Sequence, residues 1–140
     1  MDSVYRFEIQ VTNDMLDRNR HVNNVAYVQW MQDAAIGHAE ASGCTRLTIA
    51  AGATWVARHH HIEYLSPARA GDNLTVLTWV SNMRKVRSLR KYKVLRAGYR
   101  ALLAHGETDW VFVDAQTGRP RPIPQEIQDR FQIIAPEAEP

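Results

Sequence analysis

The sequence predicts an α+β domain in which an antiparallel sheet of about five strands wraps around one long central helix. Three observations carry this. The chain opens with period-two alternation, one long segment has helical periodicity, and four strand-like runs follow, separated by turn residues. A length of 140 residues suits one core rather than two, so residues 1–140 are expected to form a single domain.

Tyr5, Phe7, Ile9 and Val11 alternate with Arg6, Glu8, Gln10 and Thr12, the pattern of a half-buried strand. The polar run LDRNRHVNN, Leu16 to Asn24, follows as a loop. From about Val25 the period changes. Tyr27, Trp30, Met31, Ala34, His38 and Ala41 recur at helical spacing and mark one face of a helix ending near Ser42-Gly43. Asn23 or Asn24 suits its N-cap, and alanines at 26, 34, 35, 39 and 41 raise its helix propensity. Strands are expected at Trp55 to Leu65, Asn73 to Val80, Ser88 to Leu95 and Leu102 to Val113, the last interrupted around His105-Gly106. PARAGD and DAQTGRPRPIP are turn sequences, Gln125 to Phe131 suits a short helix, and the tail from about residue 134 is expected to fray.

With 45% apolar and 23% charged residues, the chain is a folding one rather than a disordered one. A net charge of +2 is too weak to name a polyanionic partner. The single cysteine, Cys44, forms no internal disulfide and reads as a small buried residue near a helix end. No apolar run nears the roughly 18 residues of a membrane span, and no basic-then-apolar leader opens the chain. A soluble, unprocessed, cytoplasmic protein without a membrane partner is the expectation. Sheet edges left open by one small sheet call for self-association, as a homodimer or homotetramer.

The loop before the helix is the first candidate for chemistry. A helix N-terminus carries unpaired backbone N–H groups and the positive end of the helix dipole. It can hold an oxygen that gains negative charge in a transition state. Asp17 lies seven residues before Asn24, within reach of the same space if the loop folds back. A carboxylate beside an oxyanion site is the minimum equipment for acyl transfer, and Asn19 and His21 could orient water or carry a proton. The alternative is that these side chains only satisfy loop backbone and cap the helix.

LDRNRHVNNVAYVQWMQDA resembles the signature of the hotdog-fold thioesterases, the 4-hydroxybenzoyl-CoA thioesterase-like superfamily. It is especially similar to the D-x-N-x-H-V-N-N-x-x-Y pattern of acyl-ACP thioesterases. The matching positions are Asp17, Asn19, His21, Val22, Asn23, Asn24 and Tyr27, followed by Trp30 and Asp33. IEYLSPARAGDNLTV and VFVDAQTGRPRPIP resemble two later segments of that family. The resemblance implies a hotdog fold and hydrolysis of an acyl-CoA or acyl-ACP thioester, with no cofactor. Asp17 matches the carboxylate that acts as nucleophile or general base, and Asn19 and His21 match its polar partners. The N–H groups of Asn24 and Val25 match the donors to the thioester carbonyl, and Asp33 stands as a supporting carboxylate. Acyl-ACP relatives are usually tandem hotdogs, so a chain with one would complete its site with a second subunit. The alternatives are a non-catalytic acyl-thioester binder and an enoyl-thioester hydratase or dehydratase. For the latter, the Asp17–His21 spacing is one residue too short.

Arg84, Lys85, Arg87, Arg90, Lys91, Lys93, Arg96 and Arg100 form a run without an acid. It reads either as a solvated hairpin face or as a patch for the phosphates of coenzyme A or a carrier protein, with Arg84, Lys85, Arg87 and Arg90 foremost. Only Tyr92 and Tyr99 could stack on bases there, so nucleic acid is not expected. His59, His61 and Glu63 would share a strand face, but no second ligand cluster joins them and no metal is expected. Trp55, Tyr64, Trp79 and Trp110 read as core or interface residues rather than acyl-chain selectors.

Overall fold

The structure is a computed structural model, and it describes residues 3–98 and 101–140. Tyr99 and Arg100 of the basic run lie outside the described residues.

Five strands form one antiparallel sheet: β1 (Val4–Gln10), β2 (Ala53–Tyr64), β3 (Asn73–Val80), β4 (Arg87–Arg96) and β5 (Leu102–Asp114), in the order β1-β3-β4-β5-β2. The long helix α1 (Asn24–Ser42) packs on one face. Its buried side is Tyr27, Trp30, Met31, Ala34, Ala35, His38 and Ser42, so Ser42 rather than the exposed Ala41 continues the stripe. Tyr27, Trp30, Met31 and Ala34 pack with Leu74 and Val76 of β3, Tyr92 and Val94 of β4 and Leu103 and Ala104 of β5 to make the main core. Burying such side chains from water is the chief stabilising term of the fold.

α1 stops at Gly43, whose φ of 86° places it in the left-handed region that glycine enters without a Cβ clash. A second helix, α2 (Cys44–Ala50), starts at once. Thr45, Thr48 and Ile49 lower its intrinsic propensity, which hid it from the sequence. Burial of Cys44 and Thr48 holds it in place. A short α3 (Gln125–Gln128) is briefer than expected.

Two expectations are corrected. β5 runs unbroken through His105-Gly106. A Cβ on Gly106 would stand 2.8 Å from the His61 carbonyl oxygen and 3.3 Å from the Met31 sulfur, so the glycine is there for close approach, not for a break. The tail is not frayed. Ile134 is buried on Leu77, Trp79 and Leu95, on the sheet face away from α1, and its N–H donates to the Val80 carbonyl. Glu139 pairs with Lys91 at 2.7 Å, and Lys93 donates to the Pro140 carbonyl. With α1 on one side and the tail on the other, every residue of β3 from Leu74 to Val80 is buried.

Candidate active site

The loop before α1 is a tight turn closed by a Leu16–Val22 bridge. The Asp17 N–H donates to the His21 carbonyl at 2.8 Å, and the Arg20 N–H donates to the Asp17 carbonyl at 3.1 Å. Asp17 Oδ1 accepts from the N–H groups of Asn19 (2.8 Å) and His21 (3.2 Å), so the carboxylate builds the turn around itself. Arg20 takes the left-handed conformation, φ 61°, alone among the described non-glycine residues. Asp17 Oδ2 accepts no hydrogen bond among the described residues, and Asp17 is exposed.

The turn is pinned on both sides. Val22 is buried and donates to the Ala68 carbonyl, while Asn23 donates to the Met15 carbonyl at 2.7 Å. The Tyr27 hydroxyl accepts from the Ala68 N–H at 3.2 Å, and burial raises its pKa above the ordinary tyrosine value, partly opposed by that hydrogen bond. The PARAGD turn is fastened in turn: Gly71 donates to the Val11 carbonyl, and Asp72 meets Arg96 at 3.4 Å.

At the helix start, Asn23 is the cap. Its Oδ1 accepts from the Val25 N–H at 2.9 Å. Val25 was expected to offer a donor to a thioester carbonyl, but this cap already takes its N–H. The Asn24 N–H has no acceptor among the described residues and remains as the donor. The Tyr64 hydroxyl, at the end of β2, donates to the Asn24 carbonyl at 3.2 Å. Tyr64 was expected as core or interface, and nothing in its sequence position suggested this bond across 40 residues.

Asp17, Asn19, His21, Asn24 and Val25 are all exposed along one short stretch. The side chains of Asn19 and His21 make no hydrogen bond to the Asp17 carboxylate among the described residues. Asp33 accepts from Gln29 Nε2 at 2.8 Å. Nine residues beyond Asn24, it sits roughly 14 Å along the helix, and the structure does not join it to the loop.

The basic run divides sharply. Arg84 and Lys85 are exposed, and Arg87 pairs with Asp109 at 3.3 Å. Arg90 cannot serve an external phosphate patch as expected, because it is buried on the inward face of β4, beside His38 of α1. Strand alternation explains the split: Ser88, Arg90 and Tyr92 point to the core, while Lys91 and Lys93 reach the tail on the opposite face. His59, His61 and Glu63 do share the other face, where Glu63 meets His61 at 3.5 Å and His105 at 2.9 Å. His60 faces inward and bonds the Thr108 hydroxyl at 2.8 Å. Cys44 is buried, with its Sγ 3.7 Å from the Thr48 hydroxyl, and burial raises the thiol's pKa. No helix is long and apolar enough to cross a membrane among the described residues.

The sheet order and the single helix across one face define a hotdog fold, and solved structures agree. A 1,4-dihydroxy-2-naphthoyl-CoA thioesterase from Synechocystis is similar with a TM-score of 0.80 at 22% identity, over 91% of this chain and 94% of that one. A probable thioesterase from Escherichia coli is similar with a TM-score of 0.83 at 21% identity, over 90% and 95%. A 12:0-ACP thioesterase from Umbellularia californica gives 0.83 at 20% identity, over 96% of this chain but 56% of its own length. None of the curated proteins matches the chain. The model of the thioesterase-like superfamily matches residues 11–131, and the chain belongs to that family.

Proposed function

We propose that the protein hydrolyses an acyl thioester of coenzyme A or acyl carrier protein. The observation that carries this is one carboxylate oxygen without a hydrogen bond among the described residues, Asp17 Oδ2, on an exposed residue of the turn that leads directly into the start of α1. The thioester carbonyl would sit at that start. There the Asn24 N–H and the helix dipole stabilise the oxygen that becomes negative as the carbonyl is attacked. Asp17 takes the proton of the attacking water, or attacks the carbonyl to form an anhydride that water then cleaves, and in either route the thiolate leaves. Asn19 and His21 position the water or the leaving group. Family membership and solved relatives that act on CoA and ACP thioesters support the reaction class.

The exposure of every one of these groups supports a site completed by a second copy, because acyl transfer of this kind needs an enclosed, water-poor site. β2 is the open edge best suited to the contact, with Val56 and Tyr64 exposed along it. Arg84 and Lys85 remain as candidates for the phosphates of coenzyme A or a carrier, and a cytoplasmic setting suits such substrates.

The test is thiol release from a panel of acyl-CoA and acyl-ACP substrates by the wild type and Asp17→Ala. Hydrolysis by the wild type alone is the expected result. Equal rates for the two proteins would remove Asp17 from the mechanism, and no thiol from any substrate would leave a binder in place of an enzyme.

A further inference from the structure

The far half of α1 walls a cavity of about 410 Å³ together with α2 and the first residues of β2. That volume lies within the range of small-molecule sites. Ala35, Ala39, Trp55, Trp110 and Phe131 make its wall apolar, and Arg90 is its one charged group.

Arg90 is only 6% exposed, and no carboxylate pairs with it among the described residues. Its Nη1 makes both of its hydrogen bonds, to His38 Nδ1 at 2.9 Å and to the Thr78 hydroxyl at 3.1 Å. The Nε–Nη2 edge has no acceptor among the described residues. His38 supplies no counter-charge, since a ring nitrogen that accepts from a guanidinium is unprotonated. Burial first, and the nearby Arg90 second, hold its pKa at about 3. Phe131 covers the guanidinium at 5.6 Å, a partial compensation. A guanidinium stays charged at any working pH, so the protein keeps an uncompensated cation facing an apolar cavity. That is costly unless an anion arrives.

We propose that this cavity receives a carboxylate carried on an apolar body. The Nε–Nη2 edge is the fork that holds a carboxylate through two parallel hydrogen bonds, and Trp55, Trp110 and Phe131 pack against the apolar part. The carboxylate has two sources: the far end of a dicarboxylic acyl thioester, or a free fatty acid. The first rests on the thioesterase function proposed above. Ala53, Thr54 and Trp55 at the start of β2 line the cavity, while Tyr64 at its end bonds Asn24 at the helix start. Antiparallel pairing of two β2 edges about their middles would bring one copy's cavity beside the other copy's helix start.

The test needs no turnover. Binding of octanoate and octanol to the whole protein is followed by calorimetry and by intrinsic fluorescence, to which Trp55 and Trp110 contribute along with Trp30 and Trp79. Octanoate is expected to bind at least about tenfold more tightly than octanol, and Arg90→Met is expected to abolish the difference. Equal affinities in the wild type, or no octanoate binding, would overturn the proposal whether or not the variant folds. Hydrolysis of octanedioyl-CoA and octanoyl-CoA then separates the sources. A kcat/KM preference for the former, lost in Arg90→Met, supports the dicarboxylic acyl group. Equal rates with competitive inhibition by octanoate, weakened in Arg90→Met, support the free acid. Octanoate binding without thiol release from any thioester would overturn the hydrolase function and leave the cavity assignment standing.

Discussion

The two ends of α1 treat polar groups in opposite ways. At its start, Asp17, Asn19, His21 and Asn24 are exposed, and the turn beneath them is held by backbone hydrogen bonds. Toward its other end, His38 and Arg90 are 3% and 6% exposed and meet each other rather than water. Exposed groups on a pinned turn are available for chemistry and contribute little to folding. Buried ones are coupled to folding and shape a cavity. Substitutions at the first end should therefore change rate with little effect on stability, and those at the second should change stability first.

The largest effect is expected from Asp17→Asn. An amide oxygen still accepts from the Asn19 and His21 N–H groups, so the turn survives, but the base is gone. Thiol release should fall about 100-fold or more, with the denaturation midpoint nearly unchanged. A matching loss of stability would show that Asp17 is structural.

Next comes Gly106→Ala, which places a methyl group against the His61 carbonyl oxygen. That oxygen belongs to the backbone and cannot swing aside, so a loss of about 1–3 kcal/mol is expected in urea denaturation. No loss would mean that β2 gives way beside β5 more easily than its His61 contact indicates.

His38 gives the next effect. Its pKa is lowered from 6.5 to about 3, so below pH 6.5 the unfolded chain binds the proton that the folded one refuses. Stability is thus lost as pH falls from 6.5 toward about 3, by up to about 1.4 kcal/mol per pH unit, and is unaffected above that window. His38→Gln should flatten the acid limb of the stability curve. Parallel curves would show that His38 ionises freely.

Asn23→Ala should have the smallest effect, about 1 kcal/mol from loss of the cap. It also releases the Val25 N–H at the exposed end, so its effect on rate reports whether a second donor there helps or only loosens the helix start.

Local features were legible in the sequence. The alternation of Tyr5, Phe7 and Ile9, the helical stripe from Tyr27 to His38 and the Asn23 cap each depend on neighbours a few residues away. The expected interruption at Gly106 failed because the reasons for that glycine, the His61 carbonyl oxygen and Met31, lie on other elements. The Arg90–His38 contact spans 52 residues, and the basic run hid that Arg90 points inward. Alternation along β4 held the clue, since Arg90 shares its parity with Tyr92 and Val94. Trp55 and Trp110 read as core or interface residues; both pack against the core and also line a cavity, which depends on how α2 lies against β2.

The strand order has a consequence for how the chain reaches its native state. β2 has one neighbour in the sheet, β5, and β5 is the last strand in the chain. During synthesis β2 must wait unpaired while β3 and β4 emerge and pair with each other. Such non-local closure is slow, and it leaves a long strand open to misassociation. Its exposed Arg58, His59 and His61 keep the waiting edge hydrated.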